Sequence, residues 1–345
     1  MKNIYDFTLN QLIDELTLYN EKKFRAKQIY QWLYHKRVQD FSLMSDLKKT
    51  FIDVLNQNYH LAGLKIKSKQ IAKDGTVKFL FELTDGALIE TVLMRFEYGN
   101  SLCISSQVGC NMGCKFCASG LLKKQRDLTS GEMVAQVMEA IIHLDQDEER
   151  LSNIVIMGTG EPFDNYQNVM DFCAIVNDSL GLAIGARHIT ISTCGLAPKI
   201  REFANEHTQY NLAISLHAAN DELRGRIMPI NHAYDLNELV EALRYYQQHS
   251  NRKITLEYIL LKDVNDSNQD AIDLAKICNK LNAYVNLIPY NAVDEHGFQG
   301  SDHKRVLGFY DCLMKNKAKA TIRNRVGDDI DAACGQLRAK YEGKA

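Results

Sequence analysis

From residue 101 onward, strand-like and helix-like segments alternate six times, and this alternation limits the fold more tightly than any other feature. The strand candidates are Leu102–Ser105, Asn153–Met157, His188–Ser192, Asn211–Ser215, Lys253–Ile259 and Tyr284–Ile288. The helical candidates lie near Ser130–His143, Gln167–Asn177, Lys199–Asn205, Leu236–His249, Asp270–Leu281 and Lys304–Met314. Strands separated by helical crossovers pair in parallel, so the spacing predicts an α/β fold whose sheet is open or curled into a partial barrel. Either form places a site at the C-terminal ends of the strands. A chain of 345 residues accommodates two ordinary domains, or a barrel of ~250 residues with a small accessory unit. With 46% apolar and 24% charged residues it has the balance of a chain with a sizeable core. No run approaches the ~18 apolar residues of a membrane helix. The N-terminus has no apolar signal core, so the expected location is the cytoplasm, away from membranes.

Before the alternation begins, residues 9–60 read as helical, with Leu12, Ile13, Leu16 and Tyr19, then Ile29, Trp32 and Leu33, at helix spacing. Residues 76–100 read as a β-hairpin about Thr84-Asp85-Gly86. The division expected is a helical accessory domain (1–75), a hairpin linker (76–100), a core barrel (101–325) and a C-terminal segment (326–345). Net charge is −2 overall, yet residues 1–75 carry 13 Lys/Arg against 8 Asp/Glu, or +5. Lys22, Lys23, Arg25, Lys27, Lys36 and Arg37, interleaved with Tyr30, Trp32 and Tyr34, suit an RNA-facing surface. A solvated helical face, with the aromatics in the core, would look the same.

Four of the nine cysteines fall within fifteen residues. Cys110-Asn111-Met112-Gly113-Cys114-Lys115-Phe116-Cys117 has the spacing C-x3-C-x2-C, just after the first strand of the series. Three thiolates in one loop can ligate three irons of a cubane cluster and leave the fourth iron open. A closed zinc site, completed by Cys103, is the competing reading of the same spacing. One unit later, Met157-Gly158-Thr159-Gly160-Glu161-Pro162 ends the second strand. Its glycines admit a close ligand and its glutamate can accept from an ammonium group. Ser192, Ser215-Leu216-His217 and Asn291 follow at successive strand ends, together suggesting a cofactor cradle.

The cysteine loop resembles that of the radical S-adenosylmethionine (SAM) enzymes. Two further runs, Cys103-Ile104-Ser105-Ser106-Gln107-Val108-Gly109-Cys110 and Gly327-Asp328-Asp329-Ile330-Asp331-Ala332-Ala333-Cys334-Gly335-Gln336-Leu337, closely resemble the RlmN/Cfr family, RNA methyltransferases that act on an adenine carbon. The resemblance runs over nearly the whole chain. It implies a partial (β/α)6 radical-SAM barrel, a [4Fe–4S] cluster held by Cys110, Cys114 and Cys117, and two SAM molecules per turnover. Gly160, Glu161, Ser192, Ser215, Leu216, His217 and Asn291 match SAM-contacting positions. By the same resemblance Cys334 takes a methyl group from SAM. A 5′-deoxyadenosyl radical from a second SAM then activates that methyl for addition to adenine. Cys103 resolves the protein–RNA adduct and ends in a disulfide with Cys334, while Glu90 matches the proton acceptor.

The family has two branches. One methylates carbon 2 of adenosine 2503 in 23S rRNA, some members also treating adenosine 37 of tRNAs; the other, antibiotic-resistance branch methylates carbon 8 of the same rRNA adenosine. Pro162 and Asn165 after Glu161, and Gly327-Asp328-Asp329-Ile330, favour the carbon 2 branch. Asn324, between Arg323 and Arg325, replaces an often basic residue and implies one fewer phosphate contact. Further expectations are a flavodoxin-type reductant, a monomer, and core roles for Cys173, Cys278 and Cys312. Cys194 reads as a small residue near the cofactor. A non-catalytic metal-containing RNA-binding protein is the reading from another class; Cys103 and Cys334, which a structural cluster does not need, argue against it.

Overall fold

The structure, a computed structural model, describes residues 1–345 except Ala62, 291–296, Arg325, Asp328, 331–335 and 342–345. Its centre is a ten-stranded sheet. In chain order the strands are β1 (Lys65–Ile71), β2 (Val77–Glu82), β3 (Leu88–Phe96), β4 (Gly99–Cys103), β5 (Leu151–Ile156), β6 (Ile189–Thr193), β7 (Asn211–Ser215), β8 (Ile254–Leu260), β9 (Tyr284–Pro289) and β10 (Lys319–Ile322). They neighbour one another strictly in sequence, β1 at one edge and β10 at the other. β1 to β4 form an antiparallel meander, and every pairing from β4 to β10 is parallel. The crossovers include α4 (Ser130–Asp145), α5 (Tyr166–Asn177), α6 (Ala197–Asn205), α8 (Leu236–His249), α9 (Asn268–Lys280) and α10 (His303–Lys315). The helices α1 (Leu9–Thr17), α2 (Lys23–Tyr30) and α3 (Lys49–Asn58) precede them, and a short α7 (Asp221–Ile227) follows β7. This is the expected α/β architecture. Val92 and Met94 of β3 line the same cavity as Arg323 and Val326 beyond β10, and Arg323 Nη2 lies 3.7 Å from Met94 Sδ. Strands at opposite ends of the sheet meet only if the sheet curls, which makes it a partial barrel.

Two strands of this sheet escape the sequence reading, and they are its two edges. β1, Lys-Ile-Lys-Ser-Lys-Gln-Ile, lies within the expected helical accessory domain (1–75), beyond the residues read as helical. It pairs on one side only and leaves most residues in solvent, so no apolar alternation marks it; its three lysines protect an open edge. The hairpin linker is therefore part of a meander continuous with the barrel sheet. β10 has only four residues and extends the six expected parallel strands by one.

The N-terminal helices bury Leu12, Leu16, Ile29, Tyr30, Tyr34, Phe51 and Leu55 in a core continuous with that of the barrel. A Thr8–Gln11 capping box starts α1. At the junction Asp6 Oδ1 accepts from Gly131 N–H (2.8 Å) at the first turn of α4. A Cβ on Gly131 would stand 2.4 Å from Asn3 Nδ2, so only glycine permits this approach. Tyr30 and Tyr34 are thus core residues, whereas Lys22, Lys23, Lys27 and Lys36 are exposed. Lys36 Nζ stands 3.3 Å from the Trp32 ring centroid.

Candidate active site

The loop after β4 carries the three clustered cysteines and is pinned at several points. Cys110 N–H donates to Leu122 O (2.9 Å), Lys115 N–H to Ile227 O (2.9 Å), and Tyr290 Oη to Phe116 O (3.2 Å). The Phe116 ring is buried edge-on against His217, with centroids 4.8 Å apart. The three sulfurs therefore belong to a loop set by the barrel rim. Burial pushes the Cys110 thiol up to about 12, and Cys114 is raised further for the same reason. Iron held by these sulfurs would have to displace their protons. Among the described residues no three His, Cys, Asp or Glu side chains converge as a single-ion site requires. A cubane asks for something else, one thiolate at each of three corners.

The segment after β5 comes next. Gly158 N–H donates to Ile104 O (2.9 Å), and a Cβ there would sit 2.6 Å from that oxygen. Gly160 has φ +117°, and its Cβ would lie 2.7 Å from Gln107 Cβ and Ser106 Oγ. Glycine is thus required twice to lay this loop against the β4 loop. The reward is the placement of Glu161. Its Oε1 accepts from Phe163 N–H (3.0 Å) and its Oε2 from Cys194 N–H (2.8 Å). It is buried, it lines the cavity, and among the described residues it has no cationic partner. Burial holds its carboxyl above the ordinary carboxylate range. A desolvated carboxylate on a cavity wall fits an ammonium group.

At the next strand ends Ser192 Oγ and Ser215 Oγ stand 3.5 Å apart. His217, at φ +57°, accepts from Ile259 N–H through Nδ1 (3.1 Å), which leaves the ring proton on Nε2. Burial, aided by Arg224, lowers its pKa to about 3, so the imidazole is neutral. Cys103, Cys110, Cys114, Cys117, Gly160, Glu161, Ser192, Ser215 and His217 all line one cavity of about 330 Å³. That is an ordinary small-molecule volume. With five cysteines, a buried carboxylate and hydroxyls on its wall, the cavity fits an iron–sulfur cluster and an amino-acid-bearing cofactor.

The remaining expected residues stand elsewhere. Leu216 is buried and donates its N–H to Glu257 O (3.0 Å), without lining the cavity. Glu90 is also off the cavity lining, in a buried contact with Lys78. Asn291 and Cys334 lie outside the described residues, so the Cys103–Cys334 disulfide does too; among the described residues there is no disulfide. Cys194 does line the cavity, while Cys173 and Cys278 are core and Cys312 is partly buried. Arg323 and Asn324, the latter expected to cost one RNA phosphate contact, both line the cavity.

Several residues that sequence reasoning did not single out complete the site. Gln107 Oε1 accepts from Glu161 N–H (2.9 Å) and its Nε2 donates to Asp127 and Asp164. Arg224 is fully buried and donates to Cys194 O (2.7 Å), Leu216 O (3.2 Å) and Asn231 Oδ1 (2.9 Å), tying the ends of β6 and β7 together. Glu257, a buried cavity carboxylate, accepts from Asn286 Nδ2 (2.8 Å). Gln107 lies inside a quoted motif, but Arg224 and Glu257 leave no local signal.

Comparison with known proteins settles the family. The Radical SAM superfamily matches residues 104–275, and the "Ribosomal RNA large subunit methyltransferase N-terminal domain" matches residues 2–61. A "Probable dual-specificity RNA methyltransferase RlmN" from Streptococcus thermophilus is 56% identical over 342 residues, covering 98% of this chain and 88% of that protein. The chain belongs to the RlmN family. A relative of the same name from Listeria welshimeri is 55% identical over 343 residues, covering 98% and 94% of the two chains. The crystal structure of a radical SAM methyltransferase from Sphaerobacter thermophilus superposes with a TM-score of 0.93 at 41% identity, over 97% of this chain and 99% of that one. The chain is accordingly a SAM-dependent RNA methyltransferase of the radical-SAM class. No helix among the described residues is long and apolar enough to cross a membrane.

Proposed function

We propose that this enzyme methylates carbon 2 of adenosine 2503 in 23S rRNA, with adenosine 37 of tRNAs as a second substrate. The observation that carries the reading is the single cavity in which Cys103 shares walls with Cys110, Cys114, Cys117 and Glu161. A cluster held by three cysteines with its fourth iron left open has no ligand role for Cys103, which frees that thiol on the same wall for chemistry. When bound, a cluster held by Cys110, Cys114 and Cys117, together with SAM, would supply a methyl group and one-electron chemistry.

The chain's residues do the rest. Glu161 receives the methionyl ammonium, and the neutral His217 and the paired Ser192 and Ser215 hydroxyls offer hydrogen bonds to the same cofactor. Gly160 lets the backbone lie against it, and Asn291 completes the set. Adenine carbon 2 is not a nucleophile, so an intermediary is needed. The Cys334 thiolate takes the methyl group, its S–CH3 bond forming as that of the sulfonium breaks. Once the carbon has joined adenine, Glu90 accepts the proton from carbon 2; the one-electron chemistry of the bound cofactors would first remove one hydrogen atom from that methyl group and then take one electron back from the adduct. The Cys103 thiolate then attacks the Cys334 sulfur; the C–S bond breaks with its electron pair on the methylene carbon, which takes up a proton to become the methyl group. The disulfide left behind is reopened by an external thiol reductant, a flavodoxin system being the expected electron donor to the reaction. The exposed lysines of the N-terminal helices meet RNA phosphates, and the target base leaves its stack to enter the cavity. The enzyme acts as a monomer in the cytoplasm.

Cys334→Ala and Cys103→Ala test this scheme. Each should abolish methylation of an rRNA fragment while iron content stays at the wild-type level. Turnover by both variants would refute the two-cysteine mechanism.

A further inference from the structure

β2 and β3 turn two faces to different partners. Val77, Phe79 and Phe81 enter the main core, whereas Lys78, Leu80, Leu88 and Glu90 face the C-terminal segment. Two of these are charged and fully buried: Lys78 Nζ lies 3.0 Å from Glu90 Oε2, with side-chain exposures of 0% and 2%. A buried pair stabilises a fold no better than apolar residues of the same size, so its use lies in the geometry it imposes. Here the other carboxylate oxygen, Glu90 Oε1, accepts from Arg338 N–H at 2.6 Å, and Leu337 is buried on Leu80 and Leu88. On the near side of the same segment, Gly327 N–H donates to Asp74 Oδ2 (2.7 Å) and Lys73 N–H to Asp329 Oδ2 (3.2 Å). Val326 packs with Cys103 and Met94 at the cavity. The meander thus grips the chain both before and after Cys334, at points seven residues upstream and four downstream.

We propose that Lys78 and Glu90 are positioning residues for the methyl-accepting segment: the cation fixes the carboxylate, and the carboxylate fixes the backbone that follows Cys334. The proposal rests on Cys334 as methyl acceptor, and it gives Glu90 a duty beyond proton acceptance. The test uses full-length, cluster-loaded protein carrying Lys78→Met, Lys78→Arg or Lys78→Gln. Amide hydrogen exchange is read at Leu337 and Arg338, the methyl load on Cys334 is read by peptide mass after incubation with SAM, and iron is assayed. Lys78→Met should raise exchange at Arg338 by about ten- to a hundredfold and slow methyl loading about tenfold at unchanged iron content, losing one charge-assisted hydrogen bond. Lys78→Arg should restore both. Unchanged exchange at Arg338 in folded Lys78→Met, or a rise shared equally by all of residues 65–96, overturns the proposal. Should Lys78→Met not fold, Lys78→Gln is judged by the same two criteria. If exchange responds as expected but wild-type Cys334 takes up no methyl group, the positioning role stands and the functional reading fails.

Discussion

Glu161→Gln separates a carboxylate kept for its charge from one kept for its shape. The two oxygens offer four lone-pair sites, of which the Phe163 and Cys194 N–H groups use two. The Thr193 hydroxyl and the Cys194 thiol also reach this carboxylate, which lines the cavity. A glutamine fits the same space, but its amide oxygen satisfies only one of those N–H donors and its NH2 group confronts the other, at a cost of about 1–3 kcal/mol. Removing a buried charge works in the opposite direction. Because burial raises the carboxyl's pKa, the unfolded chain ionises first as pH rises, and wild-type stability falls from the ordinary carboxylate range upward. Glutamine removes that loss, so the stability of the empty protein should change by only about 1–2 kcal/mol. SAM binding has no such offset. Losing a charge-assisted hydrogen bond to an ammonium costs about 1.5–3 kcal/mol, which is about ten- to a hundredfold in Kd. Wild-type affinity should also decline as pH falls through the raised carboxyl pKa, earlier than for an exposed carboxylate, whereas the variant should lack that phase. Equilibrium dialysis of SAM against cluster-loaded proteins of matched iron content reads both effects. A variant within twofold of wild type at every pH would refute the role given to Glu161.

Other perturbations follow from the same geometry. Alanine at Cys110, Cys114 or Cys117 should reduce anaerobically reconstituted iron from about four per chain to near zero, while far-ultraviolet circular dichroism stays that of a folded α/β chain. Gly160→Ala places a Cβ 2.7 Å from Ser106 Oγ at φ +117°, a strain of about 1–3 kcal/mol; SAM affinity should fall by tenfold or more, with iron retained. Lys22→Glu with Lys23→Glu should weaken RNA binding and lower the slope of log Kd against log salt by about two. Arg25 is a poorer probe, being occupied by Gln28, the Asp46 carbonyl and Glu21.

The central parallel strands were legible because burial on both faces makes short apolar runs, as in Leu212–Ile214, separated by amphipathic helices. The edge strands were not. Lys65–Ile71 answers to solvent and to one neighbour, and neither leaves a two-residue alternation. In the site, Cys110, Cys114, Cys117, Gly160 and Glu161 come from short motifs and line one cavity, because C-x3-C-x2-C and Gly-Thr-Gly-Glu-Pro are set by local backbone demands; Leu216, in a similar run, does not line it. Arg224, Glu257 and Lys78 were invisible because their roles come from partners far along the chain. Lys78 in Val-Lys-Phe-Leu-Phe reads as the solvent face of a strand until the C-terminal segment covers it.

The reaction itself is tested most directly by its product. Cluster-loaded enzyme, reductant and SAM would be incubated with an unmodified 23S rRNA fragment, and the digested nucleosides compared by mass spectrometry with 2-methyladenosine and 8-methyladenosine standards. The account predicts 2-methyladenosine, lost in both Cys103→Ala and Cys334→Ala. A peak at 8-methyladenosine, or 2-methyladenosine that survives both substitutions, would contradict it.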